Sequence, residues 1–266
     1  MKRLFLSLGV LTCITFYGCD SSKTNQENQT EADTTQTDTV AQEITITPVT
    51  GFPEYTDAML EMNEPLENAT ITEDSVSFSY NVKNFELGTQ TEDNNMNLAT
   101  SDKGQHIHLI FNNEPYHAHY GTDFNMALED GHYVALSFLS RSYHLSVKNP
   151  EAYVLRQFTV GDAEAQEVDL SGAHMFYSRP KGEYSGTDTE NLLLDFYLVN
   201  TELSETGNKV RATINGEEFM ITSWEPYAIQ GLPMGEVTIK LELLDAEGNL
   251  IEGPFNSVER TVTLKE

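Results

Sequence analysis

Cysteine is nearly absent from this sequence, in which only Cys13 and Cys19 occur among 266 residues. Cys13 lies inside an apolar N-terminal segment and Cys19 follows its end, so the chain beyond residue 19 has no thiol. A disulfide, a cysteine nucleophile and a thiolate metal ligand are therefore excluded for that part of the chain. A blue-copper centre is excluded too, because it needs a cysteine ligand. Stability must come from core packing.

Positive charge is also scarce, with 15 Lys and Arg against 42 Asp and Glu and a net charge of -27. Nucleic acid and anionic surfaces are repelled by such a chain, so we expect no nucleic-acid partner. The sequence contains no GxSxG elbow, no HExxH and no phosphate-cradling GxxxxGK. These absences indicate a protein that is not an enzyme.

The longest N-terminal apolar run, residues 4–17, is too short to span a membrane comfortably. Because Lys2 and Arg3 precede it, residues 1–18 are predicted to be a signal peptide. The run ends in Phe16-Tyr17-Gly18-Cys19, which resembles the lipobox of bacterial lipoproteins and implies lipidation of Cys19. Ordinary secretion is the alternative.

The segment that follows, residues 19–43, is rich in Ser, Thr, Asn, Gln and acidic residues and is predicted to be a disordered tether. We therefore expect a lipid-anchored protein of the cell envelope, on the periplasmic face of the outer membrane or at the cell surface. Its membrane partner would be reached through the N-terminal lipid.

An internal duplication fills the rest of the chain. Residues 105–114 match 208–217, and residues 154–160 match 258–264, with nearly constant spacing between the two copies. The main difference is an insert between Leu87 and Gly104 in the first copy, rich in Asn, Thr and Asp. An elaborated loop of this kind is often where function lies.

Both copies consist of short runs with period-two alternation, such as Val76/Phe78/Tyr80/Val82. A short helix is plausible only at residues 57–65. The pattern predicts an all-β protein of two tandem immunoglobulin-like sandwich domains, each with seven or eight strands. The predicted domains are residues 44–163, which are histidine-rich, and residues 164–266.

A hairpin of the first copy carries four histidines. Asn215-Gly216 is a strong type I′ turn signal, and Asn112-Asn113 holds that place in the first copy. An even loop would put all four imidazoles on one outward face within reach of one Zn(II) or Cu(II) ion, whereas an odd loop would scatter them. The predicted metal ligands are His106, His108, His117 and His119.

A second anomaly is an apolar outer face on a later strand of the first copy. Where the second copy alternates apolar and polar residues, the first has His132, Val134, Leu136 and Phe138. Such a face needs a cover: the other domain, the insert, or a partner. These four residues are therefore also a candidate partner-binding face.

The first copy resembles a group of secreted bacterial Ig-like lipoproteins, some of which carry a phosphopeptide-binding label. The resemblance rests on residues 104–108, 113–116, Gly131-His132 and 139–144. It implies fold and export more than activity. Ser140 to His144 is one residue too long for the Ser-x-x-His element of forkhead-associated domains, and an acidic surface does not favour a phosphate ligand.

The sequence therefore supports two candidate functions. The first is a non-enzymatic binding or structural module of the cell envelope, acting on a protein or glycan partner. The second is divalent metal binding, of Zn or Cu, through the hairpin histidines. No cofactor is required by the first function.

Overall fold

A computed structural model describes residues 43–166 and 168–266. The predicted signal peptide, the lipidation site Cys19 and almost all of the predicted tether lie outside these residues. Within them, no helix has the length and apolar character needed to cross a membrane.

The described residues form two β-sandwiches, preceded by strand β1 (Thr45–Pro48). The first sandwich has eight strands, β2 (Met59–Glu64), β3 (Thr70–Ile71), β4 (Val76–Lys83), β5 (His106–Phe111), β6 (His117–His119), β7 (Asp123–Met126), β8 (Gly131–Ser140) and β9 (Tyr153–Val160). Its sheets have the orders β2-β4-β7 and β3-β9-β8-β5-β6.

The second sandwich repeats this arrangement strand for strand. Its elements are β10 (His174–Arg179), β11 (Glu183–Ser185), β12 (Leu192–Val199), β13 (Lys209–Ile214), β14 (Glu217–Ile221), β15 (Tyr227–Gln230), β16 (Gly235–Leu244) and β17 (Ser257–Lys265). Its sheets are β1-β15-β12-β10 and β11-β17-β16-β13-β14, and a short 3₁₀ turn occupies Gly186–Thr189. The predicted all-β class and the immunoglobulin-like sandwiches are confirmed.

Alternating side chains build a separate core in each sandwich. In β4, Val76, Phe78 and Tyr80 point inward and are buried, while Ser77 is exposed. In β16, Val237 and Ile239 do the same for the second core. The period-two pattern read from the sequence is thus the pattern of burial.

Two sequence predictions about the first domain are wrong. Residues 57–65 contain strand β2 instead of a helix, because Leu60 and Met62 alternate with exposed Glu61 and the strand pairs with β4. The sequence also predicts that the first domain starts at residue 44 and thus includes β1. Strand β1 instead pairs antiparallel with β15 and belongs to the second sandwich.

The five-stranded sheet of the first sandwich packs on the β10–β12 side of the second. Val134, Leu136 and Phe138 from β8 share a buried cluster with Phe176 and Tyr197. Phe138 and Tyr197 stack with ring centroids 4.7 Å apart. Intramolecular cover, one of the alternatives left open by the sequence, is the one that occurs.

The candidate partner-binding face is therefore corrected. Val134, Leu136 and Phe138 are 1% exposed or less, so they are closed to a partner. His132, at the end of this row, is half-buried and lies within hydrogen-bond distance of Thr159 and Gln157 of its own sheet.

Candidate functional site: a buried histidine cluster

The register of the β5–β6 hairpin decides where its histidines lie. Asn112 and Asn113 both have positive φ, and the Glu114 N–H donates to the Phe111 carbonyl at 2.8 Å, so the tight turn forms as predicted. Pro115 follows and has no N–H to give to a ladder. Pairing resumes one residue out of step, with Leu109 opposite His117.

This odd offset separates the four predicted ligands. His117 and His119 now share the face of Leu109 and Ile107, towards the first core. His119 lies flat on Phe124, with ring centroids 3.4 Å apart. The predicted four-histidine set is therefore wrong, because a shift of one residue reverses the side of every following side chain.

His106 and His108 remain together on the other face of β5, and His144 joins them. Their ligand nitrogens all lie within 4.8 Å of one another. The Nε2 atoms of His106 and His108 are 2.8 Å apart, and His144 Nδ1 is 3.2 Å from His106 Nε2. His106 and His108 are completely buried and His144 is half-buried. We call these three residues the histidine cluster.

The sequence pattern does not identify His144 as a ligand, because this residue belongs to no hairpin motif. It lies in a turn after β8, with φ of 65° and its N–H donating to the Arg141 carbonyl at 2.9 Å. Since β8 pairs with β5 and sets Ser140 opposite His106, this turn is carried next to the cluster. Knowledge of that strand pairing would have identified His144.

The outer hydrogen bonds of the cluster orient its rings. His106 Nδ1 is 2.8 Å from the Gly104 carbonyl, which only accepts, so this nitrogen carries the proton and Nε2 keeps its lone pair. Without a metal, His108 Nε2–H donates to that lone pair at 2.8 Å. His108 Nδ1 is 3.2 Å from Ser178 Oγ, a group able to donate or accept. The Tyr116 hydroxyl lies 3.1 Å from His144 Nδ1, within hydrogen-bond distance.

Gly104 is required for this arrangement. Its φ is +83°, and an added Cβ would lie 2.6 Å from the Thr89 carbonyl oxygen. Thr89 belongs to the insert found only in the first copy, and the Gln105 N–H donates to the same carbonyl at 2.8 Å. The insert therefore fixes the backbone that holds His106.

The surroundings of the cluster are aromatic and cationic. Tyr116 stacks on His108 with centroids 3.6 Å apart and an interplanar angle of 9°. The Lys181 ammonium lies 3.7 Å from the centre of the Tyr116 ring and donates to the Tyr116 carbonyl at 2.7 Å. The guanidinium carbon of Arg179 lies 5.6 Å from the same ring.

Burial and these cations keep all three imidazoles neutral. Burial, and to a smaller extent the charges of Arg179 and Lys181, lower the pKa of His106 to about 4, although its hydrogen bond to the Gly104 carbonyl acts in the opposite direction. The pKa values of His108 and His144 are also far below the usual range, chiefly through burial and then through neighbouring positive charge. Neutral imidazole is the form that binds a metal ion.

The cluster has the chemistry of a metal site of imidazole ligands. A metal ion about 2.0–2.1 Å from each nitrogen would separate the nitrogens by roughly 3.3 Å. The 3.2 Å contact of His144 with His106 is close to this value, and the 2.8 Å contact of His108 with His106 would have to lengthen. Ligating histidines usually hold the second ring nitrogen in a hydrogen bond to a carbonyl or hydroxyl. Gly104 and Ser178 are positioned for this role at His106 and His108.

The fold defines a class, an all-β protein of two packed immunoglobulin-like sandwiches. Among solved structures it is similar to the fibronectin(III)-like modules of Clostridium thermocellum CbhA, at 11% identity and a TM-score of 0.27, covering 78% of this chain and 94% of that one. It is also similar to Bacteroides ovatus SGBP-B in complex with a mixed-linkage heptasaccharide, at 12% identity and a TM-score of 0.23, covering 77% and 70%.

A third similar structure is the D00-D0 domain of Intimin, at 11% identity and a TM-score of 0.21, covering 78% of this chain and all of that one. No protein-family model and no curated protein sequence matches the chain. At these identities the likeness concerns fold alone.

Proposed function

We propose that this chain is a non-enzymatic, lipid-anchored protein of the cell envelope that binds one transition-metal ion through His106, His108 and His144. The observation that supports it is the convergence of three buried imidazole nitrogens, with separations of 2.8 and 3.2 Å about His106 Nε2. The other ring nitrogens of His106 and His108 face the Gly104 carbonyl and the Ser178 hydroxyl, the type of partner that orients histidine ligands of a metal ion.

A metal ion in this cluster would also have a structural role, because the cluster lies where the two sandwiches meet. His106 and His108 belong to the first sandwich, while Ser178, beside His108, belongs to β10 of the second. The ring of Tyr116 contacts His108, and the Tyr116 carbonyl accepts a hydrogen bond from Lys181 of the second sandwich. A metal bound here would stabilise the packing of the two sandwiches as well as the hairpin.

The envelope location belongs to the proposal and rests on the N-terminal sequence, with Cys19 as the lipid-bearing residue. The apolar face of β8 is covered by the second sandwich, so no protein or glycan partner is proposed for it. Metal binding remains within the broader class of non-enzymatic binding modules.

The test is calorimetric titration of the mature chain carrying Cys19→Ser, so that neither lipid nor thiol is present. We expect one-to-one binding of Cu or Zn ions at neutral pH, lost in His106→Gln and in His144→Gln. The matched control is His117→Gln, which changes a hairpin histidine on the opposite face and should leave the stoichiometry unchanged.

Circular dichroism and thermal unfolding of each variant separate loss of the site from loss of the fold. Binding that survives in His106→Gln and His144→Gln, or that disappears in His117→Gln, would show that the ion uses other residues. Absence of stoichiometric binding by the parent protein would overturn the proposal.

A further inference from the structure

The histidine cluster has no negative charge of its own. The group of converging ligand atoms contains three imidazoles and, among the described residues, no carboxylate or thiolate. A divalent ion in this position would retain its whole charge in a buried environment. Because desolvation of an uncompensated charge is costly, the ligand set favours an ion of lower charge.

The nearest charged groups increase this preference. Arg179 and Lys181 act on all three imidazoles with positive charge. Over the part of the chain that the structure describes, neither forms an ion pair with a carboxylate, although six other cations do. Their charges are therefore not neutralised by a described carboxylate, and both lie against Tyr116, which stacks on His108.

Tyr116 does not supply the missing negative charge. Its hydroxyl is 3.1 Å from His144 Nδ1, and its ring is packed against His108, so the phenol is 4% exposed. A phenol is a neutral group at neutral pH, so it adds no negative charge to the site.

We infer that the histidine cluster selects a monovalent soft cation, Cu(I), over Zn(II) and Cu(II). This inference rests on the proposed metal-binding function and adds the identity and charge of the ion. Imidazole binds copper and zinc alike, so the ligand type does not discriminate between these ions. The preference comes from charge: with no anionic ligand in the cluster and with Arg179 and Lys181 nearby, a divalent ion carries twice the uncompensated charge of Cu(I). The same charge arrangement disfavours oxidation of the bound ion to Cu(II).

The sharpest test removes the Lys181 charge. Lys181 is half-buried and tolerates shortening better than buried Arg179, which donates to Tyr184 Oη at 2.7 Å. A Coulomb interaction scales with the charge of the ion, so Lys181→Met should strengthen Zn(II) binding twice as much, on a logarithmic scale, as Cu(I) binding. We expect gains of about tenfold for Cu(I) and about a hundredfold for Zn(II).

The experiment uses the mature chain with Cys19→Ser and measures Cu(I) against a chromogenic chelator without oxygen, and Zn(II) by competition with a second chelator. Lys209→Met is the matched control, since Lys209 forms no ion pair within residues 43–166 and 168–266 and donates to the Gly207 carbonyl of the second sandwich. It should change neither affinity.

Tighter Cu(I) than Zn(II) binding, with the unequal response to Lys181→Met, supports the inference. Zn(II) binding as tight as Cu(I), equal responses to Lys181→Met, or a tyrosinate-to-Cu(II) absorption band on Cu(II) loading would overturn it and leave the metal site in place. If the parent protein binds none of these ions, the proposed function itself fails.

Discussion

The imidazole of His119 shows how the fold fixes the protonation state of a single residue. It is stacked on Phe124 at an interplanar angle of 2°, and its buried Nε2 atom has no hydrogen-bond partner among the described residues. Burial, with a smaller effect of nearby His117, lowers the pKa of His119 to about 4. The folded protein therefore resists protonation at a position where the unfolded chain accepts it.

We predict that His119→Phe weakens the acid sensitivity of folding. Above about pH 6.5 the imidazole is neutral in both states. As the pH falls from there to about 4, the unfolded chain gains a proton that the folded chain does not, so the free energy of unfolding decreases. Phe retains the stack and removes this contribution.

Urea unfolding at several pH values checks this prediction. The parent and variant should differ in slope between pH 6.5 and 4 and run parallel above pH 7. An unchanged slope would show that His119 is solvated in the folded protein.

At the scale of elements, the β5–β6 turn joins the two sandwiches. Asn113 Nδ2 donates to the Phe255 carbonyl at 2.9 Å and to the Met175 carbonyl at 3.2 Å, and its Oδ1 accepts from the Tyr177 N–H at 2.8 Å. The corresponding residue of the second copy is Gly216. A position that needs only a positive φ in one copy thus carries an inter-sandwich contact in the other.

Replacing Asn113 by Gly retains the backbone conformation and leaves the Tyr177 N–H and two carbonyls without partners. We expect a loss of about 2–4 kcal/mol in the free energy of unfolding. The control is Asn112→Gly in the same turn, where the side chain bonds to His132 and Val134 of its own sandwich and is exposed. There we expect about 1 kcal/mol.

Chemical denaturation of the two variants distinguishes these cases. Equal losses would mean that the bonds across the sandwiches add nothing to stability beyond those within the turn.

In this hairpin the local sequence predicts the turn but not the register of the strands. The pair Asn112-Asn113 predicts a tight turn, and both residues have positive φ. The register beyond it depends on Pro115, whose missing N–H ends the ladder and moves Tyr116 next to His108. Turn chemistry is local, whereas register depends on where pairing resumes.

At the scale of the whole molecule, a buried ion pair connects the sandwiches. Lys148, in the loop after β8, contacts Asp195 of β12 at 2.7 Å, and their side chains are 13% and 0% exposed. Ser146 Oγ donates to the same carboxylate at 3.0 Å. The ion pair is therefore buried where the two sandwiches meet.

We predict that Lys148→Met destabilises the protein by about 3–5 kcal/mol, because it leaves the Asp195 carboxylate buried without its cation. The matched control is Lys265→Met. Lys265 also forms a 2.7 Å ion pair, with Glu183, but both side chains are more than half exposed. Loss of that pair should change stability by no more than about 1 kcal/mol.

Thermal and urea unfolding of both variants provide the measurement. Similar losses in the two variants would contradict a structural role for the buried pair. A second, separate unfolding transition in Lys148→Met would show that the pair also couples the two sandwiches.

By itself the sequence determined the all-β class, the duplication and the alternation of the core, because these depend on period-two patterns and turn residues close together in the chain. It also determined that His106 and His108 share a face of one strand. Only the tertiary structure decided that His144 completes the cluster, that β1 pairs with the second sandwich, and that the β8 face is covered. These contacts join segments far apart in the chain, and no local pattern encodes which distant surface will exclude water from them.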